Sequence, residues 1–287
     1  MKKIKNISTC KIKRILNARY SLRIGLNPIK FLLSFILLLF VSDVSFSQKE
    51  EFRTIENKAF KVGEKLHFDV KYGFVTAGVA EYSVSKISKI AGREVYNVSF
   101  NVNSVSAFDP FYKVRDHYET YIDVQGIFPW RFEQHIREGG YSRDFSAFFD
   151  QRKGKAKTSE GSYDIPKYVN DIVSAFYLAR TFDYSKMKEG DKVKLENFYK
   201  DKVYPLDVVY RGKERVSVSA GTFDCIILEP MVREGGLFKS EGTLVVWLTD
   251  DALKIPVKVK TKVIIGSIDA ELSGYEGLAG KLTSKRN

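Results

Sequence analysis

The chain has 287 residues, with 47 Lys or Arg against 35 Asp or Glu and a formal net charge of +12. That excess sits at the start: residues 1–47 hold nine basic residues and one acid, so the other 240 carry a net charge of only +4. A nucleic-acid partner is therefore not expected, and the remaining length suits one large domain or two small ones.

Residues 1–47 are basic up to Lys30, apolar from Phe31 to Val41, then small and polar through Ser45, Phe46 and Ser47. This is the pattern of a secretory signal peptide, with cleavage expected near Ser47–Gln48. Eleven apolar residues rise about 16 Å as a helix, short of the roughly 30 Å hydrocarbon core. The expectation is an exported protein of the periplasm or cell envelope, with no transmembrane helix after cleavage. Cys10 precedes the apolar run, so it cannot be the acylated cysteine that ends a lipoprotein signal. Cys225, inside the apolar run Phe223–Leu228, is expected as a free core thiol.

Residues 48–60 are polar and mixed in charge, a flexible lead-in. From Lys65 onward the two-residue period of strands dominates. Tyr96, Val98, Phe100 and Val102 alternate with polar neighbours, as do Trp130, Phe132, Gln134 and Ile136. Such alternation predicts antiparallel sheet with one face buried and one wet. Turn signals recur at Ala91-Gly92, Gly139-Gly140, Ala220-Gly221 and Gly235-Gly236. One helix is predicted, Asp171 to Phe182, capped by Asn170 or Asp171, with Ile172, Ala175, Phe176 and Ala179 as its packing stripe. Three closing strands follow at 243–249, 256–265 and 267–272, then a basic tail, 276–287.

Three motifs repeat at near-constant offset. Gly63-Glu64-Lys65-Leu66 matches Gly190-Asp191-Lys192-Val193, Ala91-Gly92 matches Ala220-Gly221, and Phe128-Pro129-Trp130 matches Ile255-Pro256-Val257, at offsets of 127, 129 and 127. The predicted fold is mainly β. It comprises two related antiparallel β units forming curved sheets, barrel-like or a sandwich, with one packed helix between them. The units span about 61–150 and 187–275 of a single duplicated domain, 61–275, and residues 151–186 form the helical linker.

Candidate chemistry lies on the wet faces. A hairpin turning at Gln125–Phe128 would set Glu119 opposite His135 and Asp123 opposite Arg131, while a turn at Gly139-Gly140 sets His135 opposite Asp144. Glu119, His135 and Asp144 would then form a row able to bind a divalent metal or run acid–base chemistry, or else a solvated charge ladder. Asp250-Asp251 reads as paired hydrolase carboxylates or as turn residues. Lys258, Lys260 and Lys262 make a basic stripe on one strand. No phosphate loop, zinc spacing or nucleophile elbow occurs, and no cofactor is expected.

Gly63-Glu64-Lys65-Leu66, Tyr72-Gly73, Ala77-Gly78, the helix DIVSAFYLAR, Ala220-Gly221-Thr222-Phe223-Asp224-Cys225 and Val246-Trp247-Leu248-Thr249-Asp250-Asp251 together resemble exported bacterial proteins of domain-of-unknown-function family 3108. The resemblance covers Phe60 to Leu272. It implies an envelope protein of mostly β structure and carries no activity. The reading therefore leans away from an enzyme and toward binding of an apolar or glycan ligand or an envelope partner, with Phe176, Tyr177, Arg180 and Trp247 as candidate ligand-binding residues. A hydrolase of envelope polysaccharide and a structural scaffold are the alternatives.

Overall fold

The computed structural model describes residues 51–232, 244–262 and 266–286. The expected signal peptide, the Gly235-Gly236 turn and positions 263–265 of the expected strand 256–265 lie outside the described residues. Residues 50–287 form one compact unit.

Two-residue alternation produces a meander of fourteen antiparallel strands. The first series is β1 (Lys65–Tyr72), β2 (Val75–Ile90), β3 (Arg93–Ser104), β4 (Arg115–Asp123), β5 (Pro129–Glu138) and β6 (Tyr141–Asp150), extended by β7 (Lys155–Thr158) and β8 (Gly161–Asp164). The helix α1 (Ile172–Ala179) follows. The second series is β9 (Lys192–Tyr199), β10 (Lys202–Val218), β11 (Gly221–Val232), β12 (Leu244–Thr249), β13 (Pro256–Lys262) and β14 (Ser267–Glu276). In space the order is β8-β7-β6-β5-β4-β3-β2-β1-β14-β13-β12-β11-β10-β9, so the ladder of β1 with β14 joins the two series. A short β15 (Lys285–Arg286) pairs with β11, so the expected basic tail is stitched back onto the sheet.

The two series agree in backbone detail. Gly63 and Gly190 hold φ of 95° and 94°, a region open to glycine and strained for other residues. Each then donates its N–H to the long second strand of its series, Gly63 to Val84 O at 2.8 Å and Gly190 to Tyr210 O at 2.9 Å. The long strands β2 and β10 each carry an irregularity at matching places, Val84/Lys86 and Tyr210/Lys213. Bulges bend and twist a sheet, and they occur here where the sheet curls. Ile127 and Lys254 take the same left-handed turn conformation, φ 48° and 45°.

The sheet is open, with β8 and β9 at its two ends. The segment before α1 bridges them: Asn170 N–H donates to Glu196 O at 2.9 Å, and Phe198 N–H donates to Asn170 O at 2.7 Å. Rings cross the same seam, Phe149 to Phe198 at 5.8 Å and Tyr163 to Phe198 at 5.8 Å. The helix is shorter than the predicted 171–182 because Asp171 is its N-cap, closing a capping box with Ser174, and Arg180 ends it. It is covered nearly all round; Val173, Ser174, Ala175, Tyr177, Leu178 and Ala179 are buried.

Residues 51–60 correct the expectation of a flexible lead-in. Phe52 is buried in a small core with Val95, Phe128 and Trp130. Arg53 donates to Gly126 O and Ile127 O, both at 2.8 Å, and Phe60 packs in the main core. The apolar anchors Phe52 and Phe60, with the Arg53 hydrogen bonds, outweigh the polar composition that suggested a loose segment.

Candidate functional site

Along β1 to β6, each strand sets at least one aromatic side chain on the face that packs the core, among them Phe68, Tyr82, Phe100, Tyr118, Phe132 and Phe145. Register aligns the middle three, and the others follow diagonally. Phe100 lies opposite Tyr82 on one side and Tyr118 on the other. Successive ring centroids are 6.2, 4.1, 5.7, 6.4 and 6.4 Å apart. Phe176 of α1 stacks on Tyr82 at 5.2 Å with a 21° interplanar angle. Offset and tilted pairs at these distances stabilise by about 0.5–1.5 kcal/mol beyond area burial.

Tyr82, Phe100, Tyr118, Ile172 and Phe176 keep part of their surface open. Burial nevertheless raises the pKa of Tyr82, keeping its phenol protonated, and pushes Tyr118 up to about 12. These rings are desolvated yet keep part of their surface accessible. Between β5, β6 and the β9 end, a crevice lined by Phe132, Gln134, Arg143, Phe145, Ile172 and Phe198 holds about 10 Å³, room for little more than one water.

Two carboxyls stand where the floor meets the rim. Asp116 is buried, its Oδ1 accepting from Arg137 N at 2.8 Å. Glu138 is pushed up to about 7 by burial, by the Asp116 charge and by sharing a hydrogen bond with that carboxyl. Two like charges this close cannot both ionise cheaply. The sign follows from linkage: a carboxyl raised in the fold adds stability below its unfolded pKa near 4.3, and that stability is lost as pH rises toward about 7. Glu138→Gln is therefore expected to flatten the fall in Tm between those pH values, measured by thermal scans across pH.

The sequence match that decides the family spans residues 67–273, to the family described as Protein of unknown function (DUF3108). The chain belongs to this family. No curated protein matches it. Three solved structures share features of the DUF3108 chain's architecture. A β-barrel-like protein of domain of unknown function DUF1849 from Brucella abortus has TM-score 0.48 and 12% identity, covering 79% of this chain and 99% of that one. A candidate lipoprotein from Parabacteroides distasonis has TM-score 0.36 and 11% identity, covering 79% and 100%. A candidate exported protein with a YmcC-like fold from Bacteroides fragilis has TM-score 0.34 and 12% identity, covering 78% and 100%.

Of the four residues singled out from sequence in this DUF3108 chain, only Phe176 reaches the floor. Tyr177 is fully buried beside Glu64 and Arg180, and burial and the Glu64 charge raise its pKa, which keeps the phenol neutral. Arg180 is also fully buried, forming a bidentate pair with Glu64 at 2.7 and 2.8 Å. Trp247 lies on the opposite strand face from buried Val246 and Leu248, its Nε1 donating to Glu214 at 2.7 Å. The four do not form one site, because helix residues 176, 177 and 180 point in different directions and strand residue 247 faces away.

The candidate row of Glu119, His135 and Asp144 does not assemble. The β4–β5 ladder is shifted by two residues, pairing Glu119 with Glu133, His117 with His135 and Tyr121 with Arg131. A left-handed residue at Ile127 and an irregularity after Tyr121 widen the turn beyond the tight hairpin assumed. His135 does face Asp144, bonding it at 2.7 Å, but Arg137 takes the same carboxylate at 2.9 and 3.0 Å in open solvent. Among the described residues, no group of three or more His, Cys, Asp or Glu could hold a metal ion.

Asp250 pairs with Lys213 at 2.6 Å, while Asp251 accepts from Leu253 N, Lys254 N and Ser284 Oγ. The two carboxylates thus serve different partners. Lys258 of the basic stripe is neutralised by Glu271 at 2.7 Å and Asp269 at 3.0 Å. Cys225 is buried, its thiol pushed up to about 12 mainly by desolvation, which leaves it inert as a nucleophile.

Sequence reading did not find the aromatic row or the Asp116–Glu138 pair. One aromatic on the inward face of each successive strand was its only signal, and the register that aligns them is not written in any one strand.

Proposed function

We propose that this is a non-enzymatic, exported envelope protein that binds an elongated apolar ligand along its concave aromatic floor. The observation that carries the reading is the aromatic row with Phe176 stacked upon it, in which Tyr82, Phe100, Tyr118 and Phe176 keep part of their surface open in an unclosed sheet. An acyl chain suits such a floor, because its length matches a row of rings and its burial needs no polar partners. The leader, basic then apolar, supports export. Among the described residues, no helix is long and apolar enough to cross a membrane.

Native mass spectrometry of protein isolated from its own cells should show a bound acyl-chain compound. Phe100→Ala with Tyr118→Ala should weaken uptake of a fluorescent acyl probe about tenfold or more, since each removed ring forfeits roughly 1.5–3 kcal/mol of burial. A bound saccharide, or a double variant with unchanged probe affinity, would overturn the reading.

A further inference from the structure

In an up-and-down meander alternate turns lie at one end of the sheet. The β1–β2 turn, the β3–β4 loop, the β5–β6 turn, the end of β13 and the start of β14 therefore share a rim. Direct bonds join the first three of these neighbours: Val105 N–H donates to Ala77 O at 3.0 Å, and Gly139 N–H to Lys113 O at 2.7 Å. Among the described residues, this rim shows the most exposed aromatic side chains to water. Phe74 is fully exposed, Phe111 is 84% exposed, and Tyr72, Val75, Tyr112, Tyr141 and Ile268 are each more than two-fifths exposed.

The loop that carries Phe111 is braced. Asp109 accepts from Ser104 Oγ at 2.5 Å and from Arg115 at 2.7 Å, Phe111 N–H donates to Phe108 O at 2.9 Å, and the Phe108 and Phe111 rings meet at 6.3 Å. A greasy tip held out by its own hydrogen bonds has a fixed presentation. Lys113, Lys202 and Lys262 stand exposed on the same rim, whose acids are Asp201, Glu138 beside Asp116, and the Arg-paired Asp109 and Glu160.

We propose that this rim docks on the surface of an anionic phospholipid bilayer, with Phe74 and Phe111 entering the interface and the lysines facing the headgroups. Projecting Phe tips, amphipathic Tyr and flanking Lys are the side chains that settle at a membrane–water boundary. A second copy of this chain fits less well. A stable dimer needs about 800 Å² of matched surface from each partner, and separate protruding tips offer no flat patch. The fluid interface accepts tips of any contour. The docking stands independently of what the concave floor binds.

The test uses residues 50–287, which exclude the leader, with vesicles of phosphatidylcholine alone or mixed with phosphatidylglycerol. Wild type should co-sediment with the anionic vesicles and only weakly with the neutral ones, with added salt reducing the difference. F74S/F111S should bind roughly tenfold or more weakly. Its Tm and its affinity for the acyl probe in lipid-free solution should stay unchanged, since both rings lie in water. Ile87→Ser, which removes an exposed apolar residue of β2 away from the rim, should bind as wild type does.

Three outcomes would overturn the proposal. They are absence of wild-type binding to anionic vesicles, equal binding by F74S/F111S, or a lipid-free dimer that F74S/F111S dissolves. None of them bears on the floor, which the lipid-free probe reports separately.

Discussion

Arg180→Ala is expected to destabilise the fold by about 3–5 kcal/mol, roughly a 10 °C loss in Tm for a unit of this size. The side chain is completely buried and its charge is met by Glu64, itself 1% exposed. Its remaining N–H groups reach Ala59 O at 3.0 Å and Leu253 O at 3.2 Å. One guanidinium thereby ties the end of α1 to the chain entering β1 and to the loop between β12 and β13. Truncation leaves a carboxylate buried without its counter-ion and strips two carbonyls of their donor. Glu64→Leu combined with Arg180→Met should lose less than Arg180→Ala alone, because no uncompensated charge remains. Chemical denaturation of the three variants distinguishes a paired charge from mere packing volume.

Asp123→Ala should be nearly as damaging, again about 3–5 kcal/mol. Asp123 is fully buried at the end of β4, where its carboxylate accepts from Arg93, from Gly126 N at 2.8 Å, from Gln125 N at 3.1 Å and from Trp130 Nε1 at 3.0 Å. Burial opposes its charge, but the hydrogen bonds from Arg93, Trp130 and Gly126 outweigh it and hold the carboxyl below its ordinary value. With the folded pKa depressed, the stabilisation is complete above the unfolded pKa near 3.9 and is lost as pH falls through the folded value. Wild type should therefore lose stability on acidification in that range, and Asp123→Ala should lose less. Because Trp130 is buried and bonded to this carboxylate, its fluorescence should report the same transition.

Much of the architecture was legible because period-two alternation is a local signal. Tyr96 to Val102 and Trp130 to Ile136 announce strands without any knowledge of their neighbours, and Asp171 followed by Ser174 announces a helix start. The paired offsets were legible for the same reason, since Gly63 and Gly190 need the same unusual φ and so keep the same residue. What stayed hidden depends on register. The Ile127 turn conformation, invisible in a sequence of ordinary residues, moved Glu119 from His135 to Glu133. The floor required six strands to be aligned at once. Arg180 looked like a ligand contact because a lone cation on an apolar helix has no local partner; Glu64 lies 116 positions away.

The ladder that unites the halves pairs Lys65 with Glu276, the beginning of the sheet with its end. Every other neighbouring pair along the path comes from consecutive strands, which can zip as they emerge. Until β14 forms, β1 therefore presents a bare backbone margin, the kind of margin that recruits foreign strands. A chain cut short before Ser267 would keep that margin, so β14 acts as the clasp that covers it.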